Sequence, residues 1–216
     1  MTAMLIGDIP LAKLNQSHRE PLMALKKSVL ERAAEIDLKA LGDCDDAAVE
    51  AIRVIRNEPS VRENMYTCHE IGEAEHRTWF EAMKANDRSV FYAVSWQGEL
   101  VGGAGFSQID RTNRRADWAF YLHPSVHGKG VGSALEFRML DLAFDQFAFE
   151  KLNCEVLDFN GAVIELHKRF GFVEEGRRRR HIVRSGVPHD AVLLGITTHE
   201  WQIRRNEMTA TAKGGQ

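Results

Sequence analysis

The 216-residue chain is poor in cysteine, in long apolar runs and in excess positive charge. Its three cysteines, Cys44, Cys68 and Cys154, are odd in number, widely spaced and not in a CxxC pair, which excludes a disulfide framework and a structural zinc site. They read as free thiols in a reducing compartment, and no metal is expected. Runs such as "AVLLGI" are far too short to span a bilayer, and "MTAMLIGDIPLAKLNQ" lacks the basic leader of a secretory signal. A cytoplasmic chain without membrane partners is therefore expected. A net charge of −3 argues against general nucleic-acid binding, which needs a basic surface. With 44% apolar and 27% charged residues, neither disorder nor a fibrous class is indicated.

What is present is an ordered change of period. Residues 17–36 place Leu22, Leu25, Val29, Ala33 and Ile36 at helical spacing among lysines and arginines, an amphipathic helix expected to pack on the domain or on a second copy in a homodimer. A short strand, "DLKAL", follows. The acidic "GDCDD" caps a helix from about Ala47 to Asn57, and "EAEHRTWFEAMKA" forms a third that puts His76 and Trp79 on adjacent turns. Then "SVFYAVSW", "VGGAGFSQID" and "RADWAFYLHP" alternate as three antiparallel strands. "HGKGVG" opens a long helix, "SALEFRMLDLAFDQFAF", whose two apolar stripes require cover over much of its circumference. The strand "KLNCEVLDF", a helix from Asn160 to Gly171 and a hairpin turning at Ser185-Gly186 complete one α/β domain over 36–204. It lies between a helical extension, 1–35, and a tail, 205–216, expected to be loose.

Gly128, Gly130 and Gly132 permit positive φ, and the first N–H groups of the helix that follows have no partners inside it, so the turn suits an anion such as pyrophosphate. A plain strand-to-helix turn has the same sequence. No Gly-Lys-Ser/Thr ends it and no βαβ unit surrounds it, which excludes a Walker loop and a dinucleotide fold. His167, on the next helix, lies among aliphatic residues, where a hydrogen-bonded packing histidine is the ordinary occupant.

The order of these parts, ending in "NGAVIELHKRFGF", resembles the GNAT superfamily of acyl-coenzyme A dependent N-acetyltransferases over roughly residues 36–202. The resemblance implies an α/β fold with a mixed, mostly antiparallel sheet of about seven strands, splayed between strands 4 and 5 and flanked by helices. It implies that the turn from His127 through Gly128, Lys129, Gly130, Val131, Gly132 and Ser133 binds the pyrophosphate of acetyl-CoA. By the same resemblance Phe120, Tyr121 and Leu122 offer backbone groups to the pantetheine arm, and Asn160 contacts the cofactor. The family has Arg or Gln where His127 stands, so backbone contacts are expected to carry the binding there.

"IRNEPSVRENM", "EAEHRTWF", "CEVLDFN", "LHKRFGFVEEG" and "DAVLLGI" resemble the branch acting in pseudaminic acid biosynthesis. That branch acetylates the 4-amino group of UDP-4-amino-4,6-dideoxy-N-acetyl-β-L-altrosamine, for flagellin glycosylation. A branch acetylating the N-termini of ribosomal proteins shares "RNxPxV"-like starts, and a non-catalytic acyl-CoA sensor is a third reading. A nucleotide-sugar acceptor needs cations for its diphosphate and planar or apolar surface for uracil and sugar; Arg56, Asn57, Arg62, Met65, His76 and Trp79 are the candidates. "RRRRH", 177–181, adds charge there, or is a solvated strand face paired with Glu174 and Glu175.

Moving an acetyl group from a thioester to an amine requires a neutral amine, a donor to the oxyanion and a proton for the thiolate. Glu155, mid-strand at the expected junction, is the candidate general base, acting through water; a structural carboxylate paired to an arginine is the alternative. His123 and His76 are in reserve. The resemblance implies an oxyanion-binding N–H at a bulge in the fourth strand near Leu122. It also places His167 where the family commonly has a tyrosine that protonates the thiolate, so His167 is the expected proton donor. The transfer is expected to be direct, within a ternary complex.

Overall fold

A computed structural model of the chain describes residues 28–213. The helix read over 17–36 lies outside the described residues as far as 27; residues 28–34 are helical and bury Val29 and Ala33 in the main core. The elements that follow are β1 (Ile36–Ala40), α1 (Asp46–Asn57), α2 (Pro59–Arg62), α3 (Glu73–Lys84), β2 (Val90–Trp96), β3 (Glu99–Asp110), β4 (Arg115–Leu122) and α4 (Val131–Asp141). They continue with β5 (Lys151–Leu157), α5 (Gly161–Phe170), β6 (Val173–Arg184), β7 (Val187–Thr197) and α6 (Thr198–Lys213).

Local chemistry sets these boundaries. The Asp45 carboxylate accepts the Ala48 N–H at 2.8 Å and starts α1. Gln97-Gly98 and Ser185-Gly186 take positive φ at both positions (54° and 84°, 47° and 79°), the twist that two-residue hairpin turns require. Gly171 ends α5 at φ 104°.

The strands form one sheet of seven in the order β1-β2-β3-β4-β5-β7-β6, so β6 is an outer edge. Neighbours are antiparallel except β4 and β5, which run parallel and pair only from Arg115–Lys151 to Asp117–Asn153. Beyond those residues the two strands part, giving the splay expected between strands 4 and 5. One core, built from residues 28–34, α4, α5 and α6, covers one face; a smaller one of Leu41, Val49, Ile52, Phe80 and Ala93 lies under α1 and α3.

Two expectations are corrected. The long helix ends at Asp141 and passes into a wider π turn, Leu142–Gln146, which brings Phe147 and Phe149 against Phe106 at 5.3 and 5.5 Å between ring centroids. The stretch from residue 205, expected to be loose, is helix through Lys213. Trp201 is 1% exposed, packs edge-on to Phe137 and donates its indole N–H to Asp141 at 3.1 Å. Arg205 reaches the same carboxylate at 2.7 and 3.1 Å, and Met208 is buried. Widely spaced anchors of this kind leave no apolar stripe for a sequence reading to detect.

Candidate active site

The turn from β4 to α4 is built for close approach. Gly128 and Gly130 lie at φ 75° and 79°, in the left-handed region where a side chain is strained. The helix begins with the Ala134 N–H on the Gly130 carbonyl at 3.1 Å, so the amides of Val131, Gly132 and Ser133 have no intrahelical partner. A diphosphate fits this ring of donors. His127 turns back instead, its Nε2 3.3 Å from the Leu122 carbonyl, and so ties the turn to the end of β4. Lys129 lies beside Arg32 and Glu35 in a hollow next to the turn. Asn160 precedes α5, and its side chain makes no capping bond.

On β4, Phe120 is half-buried with its ring edge-on to His167, while Tyr121 points to the other face and burial pushes its phenol well above the usual range. The bulge expected near Leu122 is not found there: the β3–β4 ladder runs unbroken from Gly102–Leu122 to Ser107–Asp117, and its irregularity lies at the far end, between Ser107 and Asp110. The reason is steric. A Cβ on Gly102 would stand 2.2 Å from the Tyr121 carbonyl oxygen, so this glycine lets β3 lie flat along β4.

Consecutive residues of β5 point to opposite faces, and the two just past the last β4–β5 pair are Cys154 and Glu155. Glu155 accepts the Tyr66 hydroxyl at 2.8 Å and is paired with Arg178 of β6. Burial, followed by the Glu155 hydrogen bond, pushes the Tyr66 phenol up to about 12, so Tyr66 stays a donor. The segment 62–72 that carries Tyr66 is fixed by side chains from several elements. Arg184 donates to the Met65 and Tyr66 carbonyls, Arg56 to Thr67 at 2.8 Å, and Asn57 exchanges two bonds with Ile71 at 2.9 and 2.8 Å. Arg56 and Met65 are thus joined to the segment whose Tyr66 reaches Glu155, Arg62 stands at the end of α2 where that segment starts, and Asn57 is occupied as a loop clamp. Burial lowers the Arg56 pKa, and Arg56 Nη1, Arg62 Nε and Arg184 Nε are buried without a hydrogen-bond partner among the described residues.

His76 and Trp79 stack at 5.1 Å on α3, and Trp79 is linked through Phe91 to Tyr121 at 5.3 and 6.0 Å. His76 is 5% exposed and burial lowers its pKa, while Trp79 is 39% exposed. His123 bonds Ser125 at 2.8 Å and caps the turn after β4. Of the arginine run, Arg177 pairs with Glu174 at 2.8 Å, as a solvated strand face would, and Arg178 alone reaches Glu155.

On the opposite face His167 is 3% exposed and Glu136, from α4, is wholly buried, with Nδ1 and Oε1 2.8 Å apart. Burial pushes the imidazole down, and the Glu136 carboxylate with the Cys154 thiol outweighs it, so His167 is raised to about 10. Burial in turn raises the Cys154 thiol, against the lowering effect of His167. Glu155 and His167 therefore flank the opening from its two sides. Sequence reasoning missed Tyr66, Arg184 and Glu136. Only Glu136 carried a signal, as an acidic residue inside a helix expected to be covered nearly all round. Among the described residues no cluster of His, Cys, Asp and Glu is arranged to hold a metal, and no helix is long and apolar enough to cross a membrane.

The family model of the acetyltransferase (GNAT) family matches residues 50–172. The chain is similar to the SPbeta prophage-derived uncharacterized N-acetyltransferase YokL of Bacillus subtilis, 29% identical over 59% of this chain and 72% of that protein. It is also similar to the acetyltransferase PseH of Campylobacter jejuni, 24% identical over 68% of this chain and 92% of that protein. A crystal structure of spermidine N-acetyltransferase from Vibrio cholerae in complex with CoA and spermine shares the fold at 21% identity, with a TM-score of 0.72 over 78% of this chain and 99% of that one. A parallel pair that opens after three residues, a glycine turn with free amides at the opening, and a family model spanning both lead to one conclusion: the chain belongs to the GNAT family of acetyltransferases and takes its acetyl group from acetyl-CoA.

Proposed function

We propose that the acceptor is the amine of an anionic nucleotide sugar, of the class of UDP-4-amino-4,6-dideoxy-N-acetyl-β-L-altrosamine, so that the reaction belongs to the pseudaminic acid route to glycosylated flagellin. The observation that carries this reading is the set of arginines gathered about Glu155 and the segment 62–72: Arg178 on Glu155, Arg56 and Arg184 on carbonyls of that segment, and Arg62 at its start. Arginine suits a diphosphate, because its planar fork of N–H donors bonds phosphate oxygens in pairs. The same cations repel a polyamine, although the fold is shared with a spermidine acetyltransferase. The similarity to the acetyltransferase PseH spans 92% of that protein at 24% identity.

In this reading Glu155 exchanges one of its two donors for the acceptor amine, directly or through water, and removes the proton that the amine must lose. Acetyl-CoA supplies an activated acyl group. The glycine turn and the open edge of β4 hold and orient that donor, and His167 serves its sulfur end. The test is thiol release by the purified protein from acetyl-CoA with the UDP-aminosugar, spermidine or ribosomal N-terminal peptides offered separately. The aminosugar is expected to be turned over at least about tenfold more efficiently than the others, a difference of about 1.4 kcal/mol. Turnover of only spermidine or only the peptides overturns the reading.

A further inference from the structure

An acidic residue with no exposure, on a helix buried nearly all round, calls for a physical reason. Glu136 has one oxygen on His167 Nδ1, and its Oε2 is buried with no partner among the described residues. A buried ion pair of this kind rarely adds net stability over an apolar pair of the same shape, so its presence points to what the charge does. Its place is specific. The His167 ring lies 5.3 Å from Trp118 and 6.1 Å from Phe120, both on β4 past the last residue paired with β5, and it interacts with Cys154, the first residue of β5 past that point. The imidazole thus spans the two strands where they open. The groups that face it are Glu136 from α4, Cys154 from β5, Trp118 and Phe120 from β4, and Phe172 after α5; the charge of Asp117 acts on Cys154.

We propose that Glu136 holds His167 as a permanent imidazolium, and that His167 serves the departing coenzyme A thiolate as a fixed positive charge that keeps its own proton. Glu136 is then a positioning residue. The inference rests on acetyl transfer from acetyl-CoA and not on which amine accepts. The amine nitrogen forms a bond to the acetyl carbon and the carbon–sulfur bond breaks. Sulfur leaves with the electron pair, and the proton lost by nitrogen goes through Glu155 to water. Sulfur takes up a proton from water after release.

Proton donation, the role that sequence reasoning assigned, is disfavoured here. The Glu136 carboxylate that raises the imidazole also holds its proton, so His167 gives it up less readily than a free histidine does. A cation close to a thiol instead lowers the thiol pKa, by about 1–3 units for charges in near contact.

Three measurements test this. First, nitrogen NMR of ¹⁵N-labelled wild-type protein follows the His167 ring, with the His167→Gln spectrum used for assignment. The ring is expected to stay doubly protonated through about pH 9, beyond the ordinary histidine range. A neutral ring in the wild-type protein at about pH 7.5 overturns the proposal. Second, the ultraviolet thiolate absorbance of coenzyme A bound to the protein is titrated. Its thiol is expected about one unit or more below that of free coenzyme, and back at the free value in Glu136→Gln. Equal values in free and wild-type-bound coenzyme overturn it. Third, kcat of Glu136→Gln is expected to fall about tenfold at about pH 7.5 and to recover below about pH 6, where the histidine recharges. A kcat that is unchanged or higher near neutrality overturns the fixed charge. The first two readouts need no acceptor, so a failed acceptor assignment leaves them intact.

Discussion

Glu155 is held between two walls of the cleft, by Tyr66 from the segment after α2 and by Arg178 from β6, and this makes it the residue whose removal is most informative. Glu155→Gln keeps the shape and removes the base. It is expected to lower kcat about 100-fold and leave the KM for acetyl-CoA within about twofold, as measured by thiol release. A kcat within about twofold of wild type would return Glu155 to a structural ion pair. Its position mid-strand was visible in the sequence; its two donors were not. Both donors are distant along the chain, and nothing in a single sequence brings Tyr66 within 2.8 Å of a carboxylate 89 residues away. The reverse holds for Glu136. It stood in plain view between Leu135 and Phe137, but reading a helix as apolar stripes passes over the one polar residue that full coverage must bury.

Among the elements, α6 shows where a sequence reading stops. Change of period marked the strands and helices from β1 to β7 except the one-turn α2, because each of the others buries one face continuously and so repeats every two or every 3.6 residues. The helix α6 is fastened at a few points: Trp201, the Arg205 pair with Asp141, and Met208. Deleting residues 204–216 removes the last two and exposes part of Phe137, over which the Arg205 guanidinium lies at 5.8 Å. We expect a loss of about 2–3 kcal/mol, seen as a lower midpoint in thermal or urea unfolding. An unchanged midpoint would show that the distal half of α6 contributes nothing to the fold.

For the whole molecule, the buried pair links stability to pH. His167 is raised to about 10 in the folded chain, whereas in the unfolded chain it titrates near the ordinary 6.5. The folded state therefore holds an extra proton between those values. This contribution is complete below about pH 6.5 and is lost as pH rises toward about 10, with a slope of at most about 1.4 kcal/mol per pH unit. Urea midpoints across that window are expected to fall more steeply for wild type than for the neutral double variant Glu136→Gln/His167→Gln; parallel slopes would mean that the pair is not charged.

At the same scale, the outer edge of the sheet bears on how copies of the chain meet. β6 is long and open on one side, the kind of strand on which further strands add and molecules aggregate. Its middle is four consecutive arginines, and the ladder is broken between Arg178 and Ile182, with Arg180 turned to φ 52°. The charge and the kink together deny an approaching strand a regular edge. The segment that sends Arg178 to Glu155 therefore also keeps neighbouring molecules from adding to the sheet, and replacing Arg179 and Arg180 with valine should first be felt as loss of solubility rather than loss of turnover.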